Sequence, residues 1–589
     1  MHLAAGIFLL CRSLGTVHLE LIYPAMISVS DSILPNLYKW GQKHGLVQGI
    51  GHLLHNDLSR MKKFLYSILF ASLLFLPGIS RAQAGTPDES FSNDGKRLFS
   101  LFDEAHGSGL HVAVQPDGKI LVTGGAGLAN GNRSAIVLRM LPDGLEDPEF
   151  GENGFAIISI PGTDVYGLQS ILLEDGKILV LVSRDSNQEN LVAVFRLFPD
   201  GNVDQNFGIN GHTSIDLGTY TQAPRMMALQ SDGKIVVGGY IGNSGLSDSK
   251  FFLTRFTPEG ELDTIFGDQG VVLTKVNTGV SRMYALALYP DDRISTTGFI
   301  IQNGHERTIA LRYLPNGDPD PSFDGDGMVL IPIPDTDTRP KNMVIQSDNK
   351  LVIGGEMTPD NGNMEIMAIR LMEDGSLDQD FHQTGIHKIA VSNYTDGANG
   401  MLLQPDGKIV LAGFTHGSAP EAGSTCLVRL KSSGYPDPDF GQNGVVDFDA
   451  YFQNSEILYS IALQPDGKIV GTGSMFNGTY NKIYVSRFLS GFTVSNNDLN
   501  TPEDQISVFP NPASDYLQIQ YPSGKMESPK IRLIDQDGRV IQTRKTYSPD
   551  PYKMNSLSLE LDDSILPGVY YLHIDALDKN QVVPVVICK

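Results

Sequence analysis

From about residue 86 to 490 the chain follows one rhythm. Short apolar runs alternate with polar clusters rich in Gly, Pro, Asp and Asn. No stretch there holds a 3.6-residue apolar spacing for more than a turn or two, so the rhythm predicts strands rather than helices. The second unit shows the pattern. Residues 155–160 are an apolar run, 168–173 lead into Asp175-Gly176, 177–182 lead out, and 191–197 end in Pro199-Asp200-Gly201. Asp-Gly between two apolar runs predicts a tight hairpin, here of type I′, with positive φ at both central residues. Each unit reads as four short strands.

The units recur in phase. Asp117-Gly118-Lys119 returns as Asp175-Gly176-Lys177, Asp232-Gly233-Lys234, Asp291-Asp292-Arg293, Asp348-Asn349-Lys350, Asp406-Gly407-Lys408 and Asp466-Gly467-Lys468, with centres 58, 57, 59, 57, 58 and 60 residues apart. A second signature, Asp-x-x-Phe-x-x-x-Gly, runs through Asp88/Phe91/Gly95, Asp147/Phe150/Gly154, Asp204/Phe207/Gly211, Asp263/Phe266/Gly270, Asp320/Phe323/Gly327, Asp378/Phe381/Gly385 and Asp437/Phe440/Gly444. A single arginine sits late in each unit: Arg139, Arg196, Arg255, Arg312, Arg370, Arg429 and Arg487. Six units also place a glycine inside the strand after the hairpin (Gly124, Gly239, Gly298, Gly355, Gly413, Gly473), which predicts a bulge or a close backbone approach near a crowded axis. Seven units of four strands predict an all-β protein built on a seven-bladed β-propeller, whose radial closure leaves few free edges. The alternative, an open solenoid, is usually built from shorter coils. The sequence does not fix the blade boundaries, because no eighth Asp-x-x-Phe follows Phe488.

These three signatures resemble the delta-sixty repeat family of bacterial propeller-like proteins, over roughly residues 86–490 and best at 404–410 and 464–470. The resemblance implies a propeller in a secreted protein. It brings no known activity or catalytic residues.

Met61-Lys62-Lys63, an apolar stretch and Ala82-Gln83-Ala84 have the form of a secretory signal peptide over 61–84, with Ala82 and Ala84 marking the cleavage site. The apolar stretch is short for a spanning helix. Residues 1–60 are then expected to be a spurious upstream extension. The rival reading is a real N-terminal segment anchored through 64–80. Composition sharpens once 1–84 is set aside: 37 basic and 64 acidic residues remain, a net charge of −27, with no tryptophan. Such a balance argues against nucleic acid or an anionic membrane surface as partner. Cys426 and Cys588 lie far apart, so no disulfide is expected.

The repeats occupy 85–490. Residues 491–505 read as a polar linker, and 506–589 as several short strands of a small β-sandwich. That last segment resembles the type-A C-terminal sorting domain of type IX secretion cargo. Pro510-Asn511-Pro512, Gly538-Arg539 and Pro567-Gly568 with Tyr570 match its three landmarks in order. The resemblance implies the type IX machinery as partner and export to the surface of a Bacteroidota-type bacterium, followed by anchoring or release. An ordinary immunoglobulin-like adhesion domain is the alternative.

A residue repeated in every blade is expected to be scaffold. The repeated Asp caps its own turn, the Phe packs between blades, and the Arg pairs with an Asp. The sharper alternative is calcium at Asp318, Asp320, Asp324 and Asp326, which crowd one loop. The eight histidines beyond residue 84 are expected on surface loops. No nucleophile elbow or P-loop is present. The expectation is a monomeric, non-catalytic secreted or surface propeller without cofactor, binding a glycan or protein ligand. The alternatives are an extracellular polysaccharide lyase or hydrolase, and a purely structural envelope protein.

Overall fold

The computed structural model describes residues 83–491, apart from short loop segments, and within the C-terminal module the strands from Ser507 to Ile587 with a few neighbouring residues. Residues 1–82 and 492–506 fall outside it, and with them the leader up to Ala82, the upstream extension and most of the linker. Every regular element among the described residues is a strand.

Seven four-stranded antiparallel sheets form the propeller. Six are contiguous in sequence. Blade 1, for example, runs through Gly107–Val114, Ile120–Gly127, Arg133–Met140 and Phe155–Ile158. Blade 7 is composite. Its inner three strands, Ser455–Leu463, Ile469–Phe476 and Asn481–Phe488, come from the end of the repeat array, and its outer strand is Lys96–Phe99 from the beginning. Lys96 pairs with Ser486 and Phe99 with Ile483. The first Asp-x-x-Phe, at Asp88 and Phe91, therefore completes the blade that ends at Phe488, which is why no eighth copy is needed.

The middle strands of each blade are apolar on both faces because each blade lies between two others. One core cluster joins Val137 and Phe150 of blade 1 to Val165, Val180 and Ala193 of blade 2. Another joins Val470 and Val485 of blade 7 to Val122 and Leu138 of blade 1. Burial of a strand on both faces removes the polar alternation that a half-exposed strand would show.

The Asp-Gly hairpins are not type I′. In the first, Gln115 N–H donates to Lys119 O at 2.8 Å, Gly118 N–H donates to Gln115 O at 2.9 Å, and within the loop only Gly118 has positive φ. This is a three-residue loop, a type I turn closed by one left-handed residue. Proline does not decide it, because the same loop forms where Glu174, Ser231 or Ser347 stands in place of Pro116. Common to all is the Asp carboxylate, which accepts the N–H two residues on and so holds a turn of its own, as Asp117 does from Lys119 at 3.1 Å. The hairpins at Gly407 and Gly467 repeat it, with φ 79° and 84° at the glycine. There Asp406 and Asp466 each accept the N–H of the lysine two residues on, Lys408 at 3.2 Å and Lys468 at 3.1 Å. Asp292 and Asn349 take the left-handed place of the glycine in their units, both at φ 63°.

In the C-terminal module, Ser507–Phe509, Tyr516–Tyr521 and Asn555–Glu560 form one sheet. Val540–Lys545, Lys530–Ile534, Gly568–Asp575 and Asn580–Ile587 form the other. Leu517, Ile519, Ile531, Leu533, Leu572 and Val585 are fully buried in their shared core, as in a β-sandwich.

Candidate functional site

Antiparallel blades have two ends. The hairpin between the first and second strands and the turn between the third and fourth emerge at one end, and carry all the repeated signatures. The connection between the second and third strands and the crossing to the next blade emerge at the other.

At the repeat end the three signatures meet. The Arg Nε reaches the Asp Oδ2 in every blade at 2.7–2.9 Å: Arg139 to Asp147, Arg196 to Asp204, Arg255 to Asp263, Arg312 to Asp320, Arg370 to Asp378, Arg429 to Asp437, and Arg487 back to Asp88. The basic residue of the hairpin lies 3.1–3.7 Å from the same carboxylate, including Lys408 to Asp437 and Lys468 to Asp88. The guanidinium sits 4.4–4.7 Å from the ring centre of the repeated Phe. The Arg then bridges onward, as when Arg196 Nη1 donates to the Pro258 carbonyl of the next blade at 3.0 Å. Each Asp also accepts from a backbone N–H two residues on, for example Glu149 to Asp147 at 3.0 Å.

The other two members of the signature are interior. Phe150, Phe207 and Phe266 are fully buried, and pack against Gly201, Gly260 and Gly317 of the next blade. Gly154, Gly211 and Gly270 are buried too, with φ 92°, 86° and 92°, values that favour glycine. Their carbonyls accept the N–H of Arg139, Arg196 and Arg255 at 2.8, 3.2 and 3.2 Å, which closes the turn onto the arginine strand. Buried phenylalanine and glycine offer a ligand neither access nor a polar side chain, so these six positions belong to the frame and not to a binding site. The whole arrangement is a sevenfold structural clamp.

The inner strands hold a different kind of repetition. Each carries one bulge at the same position. Pairing skips from Gly109 to His111, Gly167 to Gln169, Pro224 to Met226, Met283 to Ala285, Pro340 to Asn342, Ala398 to Gly400 and Leu458 to Ser460. The extra residues are Leu110, Leu168, Arg225, Tyr284, Lys341, Asn399 and Tyr459, all half-buried on the innermost strands that ring the axis. A bulge leaves its extra residue unpaired and re-aims its side chain. The repeated strand glycine makes room for it. A Cβ on Gly298 would lie 2.0 Å from the Arg282 carbonyl oxygen, and one on Gly239 2.2 Å from that of Ala223.

One sector of this ring is basic and aromatic. The Arg225 guanidinium lies 5.3 Å from the rings of both Tyr240 and Tyr284, and its Nη2 donates to the Tyr240 hydroxyl at 2.9 Å. Lys341 Nζ lies 5.3 Å from the Tyr284 ring. Two residues before the bulges of blades 4 and 5, Arg282 is 5.9 Å from the Tyr240 ring, and Arg282 and Arg339 are each 6.0 Å from that of Phe299. Two carboxylates face these four cations. Glu306 takes Arg339 through two hydrogen bonds, holding that guanidinium's pKa well above its ordinary value despite partial burial, and Glu356 lies 3.2 Å from Lys341. Arg225 and Arg282 have no carboxylate within 4.0 Å among the described residues. The Nε of each is buried without a hydrogen-bond partner. A guanidinium held by rings, with no carboxylate on its fork, is suited to a bidentate carboxylate or sulfate.

None of these ring residues stands out in the sequence, yet a signal existed. In six of the seven blades the bulge residue lies 14 positions before the strand glycine, as Arg225 before Gly239, Tyr284 before Gly298 and Lys341 before Gly355.

In the acidic loop read as a calcium candidate, the four aspartates have these partners. Asp320 is held by Arg312 and Ser322, Asp318 accepts from Asn316 Nδ2 at 2.7 Å, and Asp326 accepts from the Met328 N–H at 2.9 Å. Asp324 takes a positive φ of 52° in the same turn, and its N–H donates to the Asp374 carbonyl of the next blade at 2.8 Å. Among the described residues the one group of three ligand-bearing side chains within 4.8 Å is His305, Asp335 and Asp360, at the opposite end of the blades. Six of the eight histidines depart from the expected surface loops and lie within strands: His111, His212, His305, His387, His416 and His573. Burial pulls His111 and His387 down to about 4. Strand alternation puts them inside, where loop composition could not. Of the sorting landmarks, Pro510, Asn511, Pro512, Gly538, Arg539 and Pro567 lie outside the described residues, while Gly568 opens a strand on which Tyr570 is buried. Of the cleavage-site pair, Ala82 lies outside them and Ala84 is buried.

Two family descriptions match the chain. "Domain of unknown function (DUF5122) beta-propeller" matches residues 115–150, 173–207, 230–266, 290–323, 346–381 and 404–440. "Secretion system C-terminal sorting domain" matches 507–588. No curated protein sequence matches. Similar solved structures include a protein of unknown function from Dyadobacter fermentans, 11% identical with TM-score 0.34, covering 56% of this chain and 100% of that one. The polysaccharide lyase Uly1 is 12% identical with TM-score 0.39, over 69% of this chain and 98% of that one. PorZ, a surface component of the type-IX secretion system of Porphyromonas gingivalis, is 10% identical with TM-score 0.24, over 82% and 81%. At these identities and scores the three carry no functional argument.

Proposed function

We propose that this chain, a repeat propeller with a type IX sorting tail that directs it to the cell surface or extracellular space, is a binding module for an anionic glycan. The observation that carries the reading is the Arg225–Tyr284–Lys341 run. Three adjacent blades place cation, ring and cation at one structural position, flanked by Arg282 and Arg339. In a chain of net charge −23, a local excess of cations at the axis selects for carboxylate or sulfate and against a neutral sugar. Half-buried tyrosines add faces on which sugar rings stack.

The test is equilibrium binding of the mature protein to polygalacturonate, a sulfated galactan, neutral dextran and poly-glutamate. Salt-sensitive binding to an anionic glycan is expected, weakened ~10-fold or more by Arg225→Ala, as for loss of a hydrogen bond to a charged group. Equal affinity for dextran, or an Arg225→Ala protein that binds as well, overturns the proposal. Preference for poly-glutamate would move the ligand to an acidic protein. Unsaturated or reducing-end products would move the protein to the enzymes.

A further inference from the structure

The sequence offers the leader peptidase two equivalent sites, since small residues stand at both −3 and −1 for a cut after Ala82 (Ser80, Ala82) and for a cut after Ala84 (Ala82, Ala84). The fold separates them. In six blades the turn after the third strand is continuous, and a backbone carbonyl in it accepts an N–H from the preceding blade: Asp143 from Ser92, Asp200 from Gly151, Glu259 from Gly208, Asn316 from Gly267, Asp374 from Asp324 and Ser433 from His382. The seventh turn is split between the two ends of the propeller. Gly85 N–H donates to Leu489 O at 2.6 Å and Leu489 N–H to Thr86 O at 2.9 Å, as Gly144 and Leu145 do with Leu141 in blade 1. Gly85, at φ 92°, thus stands where Gly144 stands, also at φ 92°. The carbonyl that completes the circuit is that of Ala84, which accepts from Gly441 N–H at 2.8 Å.

We propose that the leader is cut between Ala82 and Gln83, so that the mature chain begins at Gln83. This rests on reading 61–84 as a leader. A cut after Ala84 would remove the acceptor of the Gly441 N–H, and buried backbone donors are almost always paired. It would also remove a buried side chain that belongs to the same core cluster as Phe440, Leu458 and Tyr484. Last, it would put a new ammonium charge on Gly85, which is buried. A cut after Ala82 avoids all three. Gln83 is exposed, its ammonium stays in water, and its Nε2 donates to the Gly441 carbonyl at 2.6 Å.

The experiment is peptide mass spectrometry of the N-terminus of the protein exported by its native host. A first residue of Gln83, free or cyclised with loss of ammonia, is the expected result. A chain starting at Gly85 overturns the proposal and leaves the leader reading standing. A chain that starts upstream of Ala82 overturns both. A second measurement does not depend on the host. Purified full-length mature chains starting at Gln83 and at Gly85 are melted side by side, and the Gly85 form is expected to melt about 1–2 °C lower. Equal melting would show that Ala84 is dispensable to the fold and would also overturn the proposal.

Discussion

Two regions of the same blades keep different things constant. At the repeat end, residue identity and geometry both recur, and seven arginines hold seven aspartates within a spread of 2.7–2.9 Å. At the ring, only backbone geometry recurs. Seven bulges fall at one position, but they present leucine, arginine, tyrosine, lysine or asparagine. The first pattern is what a scaffold needs, because each clamp holds two blades and a weak one would open the circle. The second is what a binding surface needs, because a fixed frame displays interchangeable side chains. Repetition of sequence here marks support, and repetition of shape without sequence marks the place where specificity resides.

Acid tests the contrast most severely, because it reaches several clamps at once. Burial alone would raise the carboxylates of Asp88, Asp147, Asp204, Asp320 and Asp378. Their hydrogen bonds and the adjacent Arg and Lys charges outweigh burial and hold them below the usual range. A depressed folded pKa contributes stability that is present above the unfolded carboxylate value of ~3.9 and is lost as pH falls through the folded one. Cooperative unfolding below about pH 4 is expected, followed by circular dichroism. Glu456 has the opposite sign. Burial, reinforced by Asp449, pushes it up to about 7, so its contribution is lost as pH rises from the unfolded value toward 7. The stability curve therefore bends down on that side too.

Removing one clamp comes next. Arg312 is fully buried, and Arg312→Ala leaves Asp320 buried with its Ser322 hydrogen bonds and, as its remaining cation, Arg293 at 3.6 Å. A loss of about 3–5 kcal/mol in denaturant unfolding is expected. A loss under ~1 kcal/mol would mean that the clamps are ornamental. Smaller again is Gly298→Ala. It belongs to a repeated signature but supports the ring, and its new Cβ must displace the Arg282 carbonyl, at a cost of about 1–3 kcal/mol. Because that shift moves Arg282 and the Tyr284 bulge, ligand affinity should fall with it. The smallest effect on stability is expected from Arg225→Ala, under ~1 kcal/mol, the scale of an exposed cation–π contact. If it unfolded the protein as Arg312→Ala does, the distinction between frame and display would fail.

Much of the frame was legible because strand rhythm, hairpins and a fixed arginine are local or periodic. Even the pairing of Arg with Asp could be inferred, since both recur in phase. The strand glycines announced a crowded backbone, and the bulges supply the crowding. What escaped was whatever depends on register. Arg225, Tyr284 and Lys341 look like unrelated polar residues until the bulge shows them to be equivalent, and blade 2, with Val182 opposite Gly167, breaks even the glycine marker. The closure escaped because its partners lie at opposite ends of the repeat array. The type I′ expectation failed for a local reason, the Asp carboxylate that accepts the N–H two residues on in every hairpin.

The composite seventh blade also sets a timetable. Asp88 and Arg487 are 399 positions apart, so an early strand must wait for nearly the whole array before its partner exists. Contacts this remote make closure slow, since the entropy of joining distant segments is lost before any pairing offsets it. Synthesis runs from the N-terminus, and until 481–488 has been made Lys96–Phe99 is an unpaired edge. The circle thus works as a completion check: a chain truncated anywhere before Phe488 cannot latch, and stays open to proteases and chaperones that a finished propeller excludes.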